Sequence, residues 1–140
     1  MYYIRIAIFS IVFFLLVFAT TYFSMRIFMY QPASSCLDCS YLKDTFFFSL
    51  FSLLIIPFVL LILDKAKISK TLFLLIISVV FLLIAFINNF NLFKDRVSSW
   101  SSYSTKDEIV ATIAQSYLYM VTGCIVTLLI FYKMYGRDKP

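Results

Sequence analysis

The 140-residue chain is 63% hydrophobic and 20% aromatic, with only 14% charged residues and a formal net charge of +5. Soluble domains carry roughly 25% charged and about 45–50% apolar residues, and a short chain buries too little surface to hide such an apolar excess, so an ordinary soluble domain and a disordered chain are both excluded. With no His and only 2 Gly, imidazole acid–base chemistry, His-ligated zinc or haem, and glycine-rich phosphate loops are excluded too.

Charged residues divide the chain. Residues 6–25, 45–63, 71–93 and 109–132 contain no Asp, Glu, Lys or Arg and number 20, 19, 23 and 24. About 20 apolar residues in a helix cross a hydrocarbon core of roughly 30 Å. An isolated span must satisfy its own backbone hydrogen bonds, which selects helix. The alternation of about 10 residues typical of barrel strands is absent. The expectation is an all-α, four-helix transmembrane bundle forming one domain.

The first stretch follows Arg5. It exceeds the 7–15-residue apolar core of a signal peptide, and no A-x-A site follows, so it reads as a span. Its Ser10, Thr20, Thr21 and Ser24 read as packing residues. The loop at 31–43 holds Cys36 and Cys39 as C-x-x-C. In an oxidising compartment this pair forms a small disulfide or a redox site. Two thiolates without His are too few ligands for zinc. In the second span, Pro57 should kink the helix or loosen its packing. The connection at 64–70 packs Lys65, Lys67 and Lys70 into one tight turn, and Ser69 is an N-cap for the third helix. Asn88, Asn89 and Asn91 are expected to end the third span at the membrane interface.

The loop at 91–108 holds Lys94, Asp95, Arg96, Trp100, Tyr103 and Ser98, Ser99, Ser101 and Ser102. Trp100 and Tyr103 read as interfacial anchors, and this loop has the chemistry to meet an external partner. Ser104…Asp107 and Thr105…Glu108 are overlapping capping boxes before the fourth helix. In the fourth span Thr112, Ser116, Gly123 and Thr127 share one helical face, with Gln115 adjoining it. Small and hydroxyl residues let membrane helices approach closely, with hydrogen bonds of about 0.6–2 kcal/mol. Such a face packs inside the bundle or docks another protein's helices. Cys124 stands alone in this span.

Orientation follows from Lys and Arg in short loops. With both termini inside, the inner side carries Arg5, Lys65, Lys67, Lys70, Lys133, Arg137 and Lys139, against Arg26, Lys43, Lys94, Arg96 and Lys106 outside. The turn at 64–70 decides for termini inside. Asp38, Asp44, Asp95, Asp107 and Glu108 then neutralise the outer side, and the net positive charge faces anionic lipid rather than nucleic acid. No span holds an ionisable Asp, Glu, Lys or Arg, which argues against a proton-coupled exporter or a charged ion pathway.

Two family resemblances follow. Quinone-linked membrane thiol oxidases resemble the chain in size and in a C-x-x-C after the first span. They also need a second outer cysteine pair, and the loop at 91–108 has no Cys. Immunity proteins against pore-forming colicins of the colicin A type are four-span inner-membrane proteins with a basic tail. Asn89-Phe90-Asn91-Leu92, then Thr105-Lys106-Asp107 and a final span, is similar to the corresponding part of that family. Tyr132-Lys133 with Arg137-Asp138-Lys139 is similar to its tail. The likeness covers about the last third of the chain; the very short N-terminal segment and the C-x-x-C depart from the family. It implies a non-enzymatic, multi-pass protein of the bacterial inner membrane that meets a toxin's pore-forming helices in the bilayer and keeps the channel closed.

The partner-binding candidates are Thr112, Gln115, Ser116 and Trp100, and Cys36 and Cys39 are the disulfide candidates. No catalytic residue, cofactor or metal is expected. Membrane lipids and a toxin's pore-forming domain, or another membrane protein, are the expected partners. A plasmid exclusion factor or an accessory subunit of an envelope complex is the first alternative. A thiol–disulfide oxidoreductase using Cys36 and Cys39 is the second.

Overall fold

The structure, a computed structural model, describes residues 2–36, 38–66 and 68–136. Lys67 and the tail residues Arg137, Asp138 and Lys139 lie outside the described residues. Four long helices account for most of the chain: α1 (Tyr2–Ser24), α2 (Tyr41–Lys65), α3 (Lys70–Arg96) and α4 (Thr105–Gly136). Short 3-10 turns at Arg26–Phe28 and Ser98–Trp100 lie in the longer connections. All four helices are long and apolar enough to cross a membrane.

The helices outrun the uncharged stretches because caps, not charges, set their starts. Ser40 and Ser69 accept hydrogen bonds from Lys43 N and Leu72 N, each at 3.3 Å. Ser104 accepts from Asp107 N at 3.3 Å and donates to the Asp107 carboxylate at 2.6 Å. These bonds occupy N–H groups that a helix start leaves without intrahelical partners. The overlapping box at Thr105 does not form: Glu108 instead accepts a bond from the buried Ser98 hydroxyl.

Two of the asparagines expected at the end of the third span face the bundle interior. Asn88 and Asn89 lie inside α3, which continues to Arg96, and both are buried. Ser24 of α1 donates to Asn89 Oδ1 at 2.7 Å. The Asn89 amide thus ties α3 to α1.

α1 packs chiefly on α2, and α3 chiefly on α4. α1 and α3 meet across the diagonal, while α2 and α4 lie on opposite sides. An aromatic core fills the centre. Phe13, Phe81 and Phe131 are fully buried. Phe9–Phe131, Phe13–Phe81 and Phe13–Phe131 meet edge to face at centroid distances of 5.1, 5.9 and 6.1 Å. Such pairs contribute about 0.5–1.5 kcal/mol each beyond burial. In lipid this counts, because packing rather than exclusion of water holds helices together.

On α2 the buried stripe is Thr45, Ser49, Ser52, Ile56, Leu60 and Leu63. Its three hydroxyls donate back to the carbonyls of Tyr41, Thr45 and Ser49, so they add little bulk and need no partner across the interface. α2 runs through Pro57 as one helix. Proline supplies no N–H for Leu53 O, the bond normally made four residues back. Pro57→Ala restores that donor and is expected to stabilise the protein by about 1–3 kcal/mol. A lower melting temperature in detergent would show instead that the proline ring packs productively.

α1 begins and α4 ends at the same end of the bundle as the α2–α3 turn. There Lys70 Nζ lies 3.3 Å from the centroid of the Tyr132 ring. We call this the hairpin end. The opposite, cap end carries the connections at 25–40 and 97–104.

Candidate functional site

The hydroxyl face of α4 points into the bundle. Thr112, Ser116 and Thr127 are fully buried. Ser116 donates to Thr112 O and Thr127 to Gly123 O, both at 2.7 Å. Thr112 Oγ1 has no hydrogen-bond partner among the described residues. A Cβ on Gly123 would lie 2.3 Å from Thr20 Oγ1, so α1 and α4 cross in near contact at this glycine. Of the four partner-binding candidates, Thr112 and Ser116 are therefore enclosed by the protein's own helices. Small side chains bring α4 against its neighbours, which is what their spacing serves. Gln115 is half-buried at the edge of the packed face. Trp100 is exposed, but its Nε1 donates to Pro32 O at 2.9 Å, tying the two cap connections together.

What α4 presents outward is a different set of residues. Tyr117, Leu118, Tyr119 and Thr122 are exposed. Beside the Gly123 crossing, α1 and α4 diverge into an open groove of about 690 Å³ whose lining includes Thr20, Phe23, Tyr119 and Thr122.

The cap is organised by two neighbours at the end of α3. Asp95 Oδ1 accepts from Ser34 Oγ at 2.7 Å and Ser35 N at 2.8 Å, and Oδ2 accepts from Ser35 Oγ at 3.1 Å. Asp95 O accepts from Ser34 N at 2.9 Å. Arg96 turns the other way and is 2% exposed. Its Nη1 donates to Gln31 O, and its Nη2 to Cys39 O and to the carboxylate of Asp44. Neither residue was legible as an organiser in the sequence, where both counted as loop charges. The only hint was their place at the boundary of an apolar run.

Cys36 and Cys39 sit at disulfide distance, their Cα atoms 5.3 Å apart, in the loop that Asp95 and Arg96 clamp. A bond closing so short a loop restricts the unfolded chain little. Replacing both cysteines by Ser is expected to cost no more than about 2 kcal/mol, because the clamps persist. Thermal unfolding with and without reductant checks this, and a collapse of stability would make the bond a principal support of the cap. Cys124 is half-buried in α4. Among the described residues no three His, Cys, Asp or Glu side chains converge.

No protein-family model, curated protein or solved structure matches the chain.

Proposed function

We propose that the chain is a non-catalytic protein of the bacterial inner membrane that recognises another membrane-inserted protein within the bilayer, specifically an immunity protein that keeps a pore-forming bacteriocin from opening its channel. The one-sided burial of α4 supports this reading. In its most apolar 18-residue stretch only 11% of positions are buried, against 39, 28 and 33% for the other three, while its packing falls on α1 and α3. Its open side is not uniformly apolar. Tyr117 and Tyr119 are exposed there, with Gln115 at the edge, while the exposed Thr122 hydroxyl already bonds Leu118 O.

Polar atoms facing hydrocarbon without partners are costly, and a partner helix that pairs with them gains about 0.6–2 kcal/mol per hydrogen bond. A toxin's helices entering the bilayer would meet this side laterally, with no catalytic group required. The similarity at 89–92, 105–107 and 132–139 to the immunity family points the same way. So does a topology with both termini cytoplasmic, which sets Arg5, Lys65, Lys70 and Lys133 against anionic lipid.

The test is survival of sensitive cells, with and without this gene, against a panel of colicin A-type pore formers. Protection against one toxin by orders of magnitude is expected. Replacing Gln115 and Tyr119 together by Leu should weaken that protection about tenfold, matching the loss of about 1.4 kcal/mol, at unchanged membrane abundance. No protection against any pore former at verified abundance would reject immunity in favour of an accessory role. Trapped mixed disulfides at Cys36 or Cys39 would favour the thiol enzyme.

A further inference from the structure

Inside the spans, the hydroxyl side chains share one habit. Ser10, Thr45, Ser49, Ser78, Thr122 and Thr127 each donate to the carbonyl four residues back. Thr20 of α1 breaks it: its hydroxyl makes no hydrogen bond among the described residues. Thr21 and Thr112 also lack a partner for Oγ1, but those oxygens are shut inside the bundle. Thr20 is 8% exposed and lines the open groove between α1 and α4, with Ala19 and Gly123 beside it. Its Oγ1 faces the glycine, 2.3 Å from where a Cβ on Gly123 would stand.

This donor selects what fills the groove. Thr20 lies within the uncharged stretch 6–25, where lipid offers only hydrocarbon, and an O–H left without an acceptor there is costly. An acyl chain therefore does not satisfy the site. The occupant brings an acceptor to the depth of Thr20, and the chain carries one itself. Thr122 is exposed on α4 and lines the same groove. Its own hydrogen goes to Leu118 O at 2.8 Å, which leaves its oxygen free to accept. Only one residue, a rise of about 1.5 Å, separates Thr122 from the glycine that Thr20 faces.

Two copies inserted the same way are related by a two-fold axis along the membrane normal, and rotation about that axis preserves depth. Donor and acceptor then meet twice, Thr20 of each copy against Thr122 of the other. The shapes match as well. Leu118, Thr122, Ile125 and Leu129 are exposed at helical spacing and form one ridge on α4. Ala19, Thr20 and Gly123 are small, so the groove admits such a ridge closely. We propose that the groove seats α4 of a second copy of this chain, forming a parallel dimer within the bilayer. The dimer uses this chain alone and stands whether or not a toxin is the further partner. A toxin helix binding along α4 would displace the second copy.

The full chain, carrying one fused fluorophore, would be reconstituted in vesicles of phosphatidylethanolamine and phosphatidylglycerol at falling protein-to-lipid ratios, and bleaching steps counted per vesicle. Two-step vesicles are expected to persist at densities where a monomeric membrane protein gives single steps. Thr122→Val keeps the side-chain volume on an exposed position and removes the acceptor. It should raise the density of half-dissociation about tenfold, the effect of losing two hydrogen bonds of ordinary strength in a membrane. Thr20→Val should act equally, and the double variant no more than either alone, because each change removes the same two bonds. If Thr20→Val lowers abundance, Thr122→Val alone decides, since it leaves the α1–α4 crossing intact. Phe58→Leu, exposed on α2, should change nothing. Single steps at every density overturn the second copy as occupant and leave the groove to a foreign helix. A dimer unmoved by Thr122→Val overturns this face as its interface.

Discussion

Arg96→Met is expected to cost about 3–5 kcal/mol of stability, the loss typical of breaking a buried ion pair by removing one partner. Arg96 is 2% exposed and the Asp44 side chain 14%. The substitution keeps much of the aliphatic volume but withdraws the guanidinium from Asp44, Gln31 O and Cys39 O together. It leaves a largely buried carboxylate without its counter-charge and two carbonyls without a donor. The cap connection would then keep only the bonds of Asp95 and Trp100 and apolar contacts such as Phe28 on Phe93. Asp44→Asn should cost less, because the amide oxygen still accepts from Arg96 while the carbonyl contacts remain. The double variant Arg96→Met with Asp44→Leu should lose less than the two single changes summed, since each alone strands the other's buried group. Thermal unfolding in detergent measures all of these. A melting curve unmoved by Arg96→Met would mean that the guanidinium lies in water in the folded protein.

The same residue shows where reading the sequence stops. Four apolar stretches were legible because a helix in lipid must be apolar over a fixed length, whatever it packs against. Caps at Ser69 and Ser104 were legible because they act within three residues, and so was the spacing of Cys36 and Cys39. Arg96 was not, because its partner Asp44 lies 52 residues away and no local pattern links them. Counting charges by loop treats every Lys and Arg as solvated, and α3 turns Arg96 inward instead. Asn89 was missed in the same way, since its partner Ser24 belongs to a helix 65 residues earlier. The face formed by Thr112, Ser116, Gly123 and Thr127 was legible as a face, but its direction was not. In a soluble helix the apolar side points inward; in a membrane helix lipid and core are equally apolar, so small size rather than hydropathy marks the packed side.

Gly123 is where that principle is sharpest. Gly123→Leu is expected to be severely destabilising, and Gly123→Ala to lose stability although Ala favours helix over Gly by about 1 kcal/mol. A Cβ at this position meets Thr20 Oγ1 at 2.3 Å, Phe81 Cζ at 3.0 Å and Thr20 Cγ2 at 3.2 Å. Phe81 is fully buried and Thr20 nearly so, so neither moves freely. Relief requires α1 and α4 to separate, which disturbs the Phe9–Phe131 and Phe13–Phe131 contacts between the same two helices. Overpacking of this kind typically costs about 1–3 kcal/mol for a small insertion and more for a large one. Thr20→Ala removes two of the three clashing atoms. Combined with Gly123→Ala, it should recover most of the lost stability, leaving only the contact with Phe81. The crossing also shapes the groove beside Tyr119 and Thr122. Gly123→Ala should therefore reduce partner binding along α4, and the double variant should restore binding and melting temperature together. A Gly123→Ala protein that melts above the original would mean that α1 and α4 have room to spare at this crossing.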